Sequence, residues 1–184
     1  MTSPVEPAVA ESDAALIARW QGGDERAATL LVERHAPALA RFAASLGVRG
    51  EADEVVQDTF VRAFGSLDTF RGESTLRTWL FTIARRLVLD RRRAIRRRGE
   101  AIDLDEADAA TEYDALDGVV ADETVARLQA ALGRLTPTQR EVFLLRVNEG
   151  LSYKEIAEVA GTTEGAARVH YHNAMRAVKE LLDA

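Results

Sequence analysis

The chain has 184 residues, 47% hydrophobic and 29% charged, with a formal net charge of −6 and no cysteine. That length and mixture supply a core for one domain or two small ones, while the missing thiols exclude disulfides, thiolate metal sites and a cysteine nucleophile. No run approaches the ~20 apolar residues of a membrane span, so a soluble, cytoplasmic protein without membrane insertion is expected.

Charge is laid out in blocks. Residues 1–99 sum to +3, residues 100–123 to −10 and residues 124–184 to +1. The negative total therefore belongs to one short segment and does not argue against a nucleic-acid partner.

Residues 1–11 lack basic residues and an apolar core, so they read as a disordered tail and not as a secretory signal. Ser12 is placed to cap a first helix carrying Leu16, Ile17 and Trp20 on one face, and Gly22 and Gly23 stop it. Asp24 opens a second helix, with a break or kink expected at Ala36-Pro37. Leu39, Phe42, Ala43 and Leu46 resume the apolar period up to Gly47. His35 has no second His or Cys nearby and reads as a packed or surface side chain.

Residues 51–64, EADEVVQDTFVRAF, form an amphipathic helix with Val55, Val56, Thr59, Phe60 and Ala63 toward a core. Glu54, Gln57, Asp58 and Arg62 point elsewhere. Glu54 and Asp58 lie one turn apart, the geometry of a shared metal or an acid/base pair and equally that of a solvated face or a partner-binding face.

Residues 70–99, FRGESTLRTWLFTIARRLVLDRRRAIRRRG, hold ten arginines against two acids. From about Ser74 they read as a helix whose Leu76, Leu80, Ile83 and Leu87 form a buried stripe, with Arg77, Arg85, Arg92 and Arg96 on another side. Arginine forks phosphate better than lysine does, so this face suits a polyanion. Trp79 adjoins the apolar stripe and is expected at least partly in the core. Phe81 lies nearer Arg77 and Arg85 and is expected to meet bases.

Residues 99–122 turn acidic and small, which reads as a linker. It is suited to folding back on the arginine helix as a nucleic-acid mimic, to threading a basic channel in a partner, or to acting as a solubilising spacer.

Residues 123–184 read as a second helical domain. Val125, Leu128, Ala131 and Leu132 line one helix. Thr136, Pro137 and Gln139 form a start signal with a reciprocal cap, and Ser152 with Glu155 a second. Gly161 makes the tight turn before a last helix with Ala167, Tyr171, Ala174, Val178 and Leu181 inward. Two helices joined by a short glycine turn have the form of a helix-turn-helix. His170 and His172 project about 200° apart on a helix, which does not suit chelation.

In this order the motifs resemble the extracytoplasmic-function sigma factors. DEVVQDTFVRAF resembles the region 2 helix that docks on the polymerase largest-subunit clamp, FRGESTLRTWLFTIARRLVLDRRR the loop and helix that open and read the minus-ten element, and LTPTQREVFLLRVNEGLSYKEIAEVAGTTEGAARVH the region 4 helix-turn-helix that reads the minus-thirty-five element. The resemblance implies an all-α protein with a region 2 domain over residues 12–98 and a region 4 domain over residues 123–184. It assigns minus-ten contacts to Arg71, Gly72, Glu73, Ser74, Thr75, Arg77, Trp79, Phe81, Arg85, Arg86, Arg92, Arg93, Arg96 and Arg97. Minus-thirty-five contacts fall to Thr162, Thr163, Glu164, Arg168, His172, Asn173 and Arg176, and core polymerase contacts to Asp53, Glu54, Gln57, Asp58, Phe60 and Arg62. The implied partners are core RNA polymerase through its clamp and flap, promoter DNA and an anti-sigma factor. No catalytic residue, metal, cofactor or small-molecule substrate is expected. The last helix carries fewer cations at its start than is common in the family, which implies a weaker or different reading there.

Two other readings remain open on the residues alone. One is a stand-alone helix-turn-helix regulator that acts without core polymerase, and the other is a nucleic-acid enzyme using Glu54 and Asp58 with a divalent metal.

Overall fold

Ser12 starts the first helix as its spacing predicts: its hydroxyl accepts from the Ala15 amide at 3.2 Å, satisfying one of the orphan donors of the first turn. The computed structural model describes residues 11–97 and 130–182. The tail, the acidic linker, and Val125 and Leu128 lie outside the described residues. Among the described residues every regular element is helical.

The chain separates into two compact units, residues 1–37 and 38–184. The first holds α1 (Asp13–Gln21) and the start of α2 (Glu25–Ser45). Leu16, Ala27 and Leu31 are its buried apolar residues. Arg19 bridges Glu11 at 2.5 Å and Asp24 at 2.6 Å. Asp13 takes Arg34 at 2.5 Å through one oxygen and His35 at 3.0 Å through the other. His35 is thus packed, as its isolation in the sequence suggested.

Of the break or kink expected at Ala36-Pro37, the break does not occur: α2 runs on with Pro37 inside it. An interior proline costs about 3 kcal/mol locally. Burial of Leu31 before it and of Leu39 and Phe42 after it outweighs that cost.

In the second unit α3 (Ala52–Gly65) buries Val55, Thr59, Phe60 and Ala63. The Thr59 hydroxyl donates to the Val55 carbonyl at 2.6 Å, so this interior polar atom is satisfied. A 3₁₀ turn, Leu67–Thr69, leads to α4 (Leu76–Arg97), which packs against α3. Phe42 meets Phe81 edge-on, with ring centroids 5.0 Å apart.

Residues 130–133 end a helix, and the buried Arg140 caps it, donating to the carbonyls of Leu132 at 2.8 Å and Gly133 at 3.1 Å. Next come α5 (Pro137–Val147), α6 (Tyr153–Ala160) and α7 (Glu164–Leu182). Both expected capping boxes form, at Thr136/Gln139 and at Ser152/Glu155. Gly161 takes a left-handed φ of 64° at the turn, a conformation that costs a side chain and costs glycine nothing. Ala131, Leu132, Leu135, Phe143, Leu144, Ala174 and Val178 close this helical core, and α6 also packs on α4.

Candidate nucleic-acid interface

The side-chain hydroxyl of Thr75 accepts from the Thr78 amide at 3.1 Å and so fixes where α4 begins. Before it, Arg71, Gly72 and Glu73 are exposed, with Gly72 at φ 70°, and Ser74 is half-buried. Leu76, Leu80 and Leu87 face the core as expected, together with Thr78, Phe81, Ala84 and Val88.

Of the two aromatics, Trp79 lies partly in the core as expected and Phe81 does not lie where expected. Phe81 is 1% exposed and fills the core against Phe42, so it is not presented to a base. Trp79 is half-buried and leans on Phe70 with centroids 5.0 Å apart, which keeps one part of its ring at the surface beside the exposed loop.

The arginines of α4 fall into two sets. Arg86, Arg93, Arg96 and Arg97 are exposed. At ~100° per residue, Arg86, Arg93 and Arg97 lie within about 40° of one another along some 16 Å of helix, a track suited to consecutive phosphates. Arg92 is half-buried beneath them. Burial, then the like charge of Arg96, lowers its pKa against the pull of Glu141, and its Nε is buried without a hydrogen-bond partner.

Arg77 and Arg85 form the second set, and both are held by acids of the C-terminal helices. Arg85 forks Glu141 of α5 through Nε at 2.5 Å and Nη2 at 3.3 Å. Arg77 pairs with the buried Glu149, which Arg41 also approaches at 3.5 Å. The hydroxyls of Thr78 and Thr75 donate to Glu155 of α6 at 3.0 and 3.4 Å. Burial raises the pKa of Glu141 and outweighs the opposing hydrogen bond from Arg85. At Glu155 burial also pushes upward, and the hydrogen bonds from Ser152, Thr78 and Thr75 together overcome it and lower the pKa. Sequence reasoning missed these three glutamates. One signal was available for Glu141, which shares the apolar face of α5 with Leu144 and Leu145 at i+3 and i+4.

The second surface belongs to α7. Thr163 caps it, accepting from the Ala166 amide at 3.1 Å. Glu164, Arg168, His172 and Arg176 recur every four residues and are all exposed, with Thr162 and Asn173 half-buried at the edges. Arg168 is pre-oriented by Glu164 at 2.8 Å and by the Tyr153 ring, whose centroid lies 5.1 Å from its guanidinium carbon. Arg146 stacks on the same ring at 5.0 Å.

The described residues contain no cluster of three or more metal-ligating side chains. From α4, Arg91 reaches Glu51, just before α3, at 2.9 Å, and Glu54 and Asp58 of α3 at 3.2 and 2.8 Å, so the acid pair is engaged by a guanidinium. Asp53, Glu54, Gln57 and Arg62 are exposed, Asp58 is half-buried, and Val61 is 66% exposed beside them. Phe60, which the resemblance places among the polymerase contacts and the helix period places toward the core, is buried and stacked on Phe64 at 5.9 Å. Its place at i+1 of Thr59 and i−3 of Ala63 puts it on the core side.

The family model described as sigma-70 region 2 matches residues 31–98, and that described as sigma-70, region 4 matches residues 126–178. The sigma factor CnrH of Cupriavidus metallidurans is 34% identical, over 95% of this chain and 96% of its own length. The chain belongs to the extracytoplasmic-function RNA polymerase sigma factors. Within that family the sigma-E factor of Escherichia coli is 30% identical over 91% of this chain and 92% of its own. Two solved sigma factors share the fold. CnrH in complex with the cytosolic domain of CnrY matches with a TM-score of 0.67 at 33% identity, covering 94% of this chain and 98% of that one. The sigma factor RpoE in complex with the anti-sigma factor NepR from Bartonella quintana matches with 0.64 at 28%, covering 88% and 98%. This sigma factor therefore directs RNA polymerase to promoters, and α4 lies in its region 2 and α7 in its region 4.

Proposed function

We propose that the exposed loop at residues 71–74, with Thr75 and Trp79, reads and opens the minus-ten element, while Arg86, Arg92, Arg93, Arg96 and Arg97 hold its backbone. The observation that carries this is the exposed arginine track of α4, the helix that follows the left-handed turn at Gly72. Arg71, Arg77 and Arg85 complete the same surface. Opening needs no bond-breaking chemistry: an extruded base costs a few kcal/mol, offset by pocket contacts and by phosphate pairing.

The face of α7 from Thr162 to Arg176 reads the minus-thirty-five element, and the exposed Asp53, Glu54, Gln57 and Arg62 with Asp58 dock on the polymerase clamp. The protein works in the cytoplasm as two domains, residues 12–98 and 123–184. An anti-sigma factor binds it, as NepR binds the related RpoE of Bartonella quintana. No helix among the described residues is long and apolar enough to cross a membrane.

The test is transcription in vitro with core polymerase on a promoter library. Replacing Glu73, Ser74 and Thr75 should change which minus-ten sequences are used. A uniform loss over all promoters would show that the loop is not a reader. A gel shift with region 4 sites, equally tight with and without core, would revive the stand-alone regulator.

A further inference from the structure

The reading face of α4 is already occupied within this chain. Arg85 closes a two-point fork on Glu141, Arg77 pairs with Glu149, and the hydroxyls of Thr75 and Thr78 donate to Glu155. Thr75, Arg77 and Arg85 belong to the surface assigned above to the minus-ten element, Thr78 lies buried one turn after Thr75, and all three acids come from the region 4 helices or the turn between them. A carboxylate and a phosphate present a guanidinium with the same pair of acceptor oxygens. These acids therefore stand where DNA phosphates would stand.

We propose that the Arg77–Arg85 face of region 2 is a docking surface shared by two ligands, the minus-ten strand and the chain's own region 4 carboxylates, which exclude each other. The inference rests on the reading of α4 as the minus-ten face. The nucleic-acid mimic is built from Glu141, Glu149 and Glu155, all inside the folded second unit.

Three physical features support competition over a permanent scaffold. Glu141 and Glu149 are each 6% exposed, and a buried carboxylate is tolerable only while its partner stays in place. Separation returns both acids and both arginines to water, so the ion pairs themselves add little net stability to the closed form. Burial raises the Glu141 pKa in spite of its fork with Arg85 and its proximity to Arg92, the charged groups that face it from α4. Burial and the attraction of the arginines thus oppose one another at this contact. The other members of the contact are hydroxyls, which serve phosphate oxygens equally well.

The chain has no cysteine, so spin labels can be placed at V61C and V169C, exposed positions on α3 and α7. In the full-length protein without core, the label distance should be narrowly distributed. It should broaden in the E141Q/E149Q/E155Q variant and, for the unsubstituted glutamates, on adding single-stranded minus-ten oligonucleotide. The same variant should bind that oligonucleotide at least fivefold more tightly, since apparent affinity scales with the open fraction; a chain about 90% closed would gain about tenfold. A broad distribution in the parent protein, or oligonucleotide affinity unchanged by the three substitutions, overturns the proposal.

Should the triple variant lose its helical circular dichroism, R85E and R85E/E141R decide the matter. The single reversal should broaden the distance and the exchanged pair should restore it; restoration failing in a folded double variant counts against the contact. Transcription by parent protein with core separates this from the broader reading. If transcription starts at a defined promoter but the distances ignore DNA and substitutions, only the docking proposal falls. If there is no minus-ten binding with core, the assignment of α4 falls first.

Discussion

Tyr153 shows how one side chain connects folding to recognition. It is the first residue of α6, placed by the Ser152 cap, and it meets Tyr171 edge-on at 5.9 Å while carrying Arg146 and Arg168 on its ring. Each cation–π contact at such a half-exposed site is worth about 0.5–1 kcal/mol. The one to Arg168, with the ion pair to Glu164, narrows the rotamers of a long side chain before DNA arrives and lowers the entropy cost of binding. Y153L should therefore weaken holoenzyme binding to the minus-thirty-five element by about three- to fivefold, and Y153F should not. In an R168A background Y153L should have no further effect, which a double-mutant cycle measures directly. Additive losses in that cycle would mean that Tyr153 does not act through Arg168.

Elements show which kinds of inference a sequence supports. Ser12, Thr136 and Ser152 cap helices where their spacing placed them, because a cap involves residues three apart and nothing else. Phe81, expected on the basic side, is buried for the opposite reason. Which of two rings is buried depends on Phe42, thirty-nine positions away, coming to meet one of them. Pro37 is similar, a local penalty overruled by burial elsewhere along α2. The acids of α3 were legible as a polar face, but their tie to α4 was not. Arg91 joins Glu51, Glu54 and Asp58, with burial working against its charge and the hydrogen bonds to Asp58 and Glu51 outweighing it to raise its pKa. R91M keeps the apolar stem and removes the charge. Pairs of this partly exposed kind are worth about 0.2–1 kcal/mol each, so the variant should lose about 1 kcal/mol, or roughly 2–4 °C in Tm for a chain of this size. R91K should retain part of that. A melting temperature for R91M equal to the parent's would show that the three acids tolerate each other without a cation.

At the scale of the whole molecule, the arrangement of charge matters more than its sum. The net −6 would repel DNA if it were spread evenly, yet residues 1–99 carry +3 and the exposed arginines of α4 concentrate it along one helix. Beyond the apolar setting of Glu141, the sequence does not show that part of this positive face meets acids of the C-terminal helices. Glutamates spaced as on any solvated helix announce their buried partners only once the halves are packed. Salt dependence distinguishes the two sets of arginines. Arg86, Arg93 and Arg97 are exposed and solvated in the resting chain, so contacts they make to a separated strand release counterions at about 0.7 per phosphate. In the holoenzyme, R86A/R93A/R97A should lower the slope of log affinity against log salt by about 2, measured on pre-opened minus-ten templates. Under the proposed competition Arg85 exchanges Glu141 for phosphate, and so begins paired with a carboxylate. R85A in the free protein should change the slope by less than one such contact, because it removes a competitor's anchor along with a DNA contact. Equal slope changes per arginine in both sets would mean that Arg85 stands free in solution.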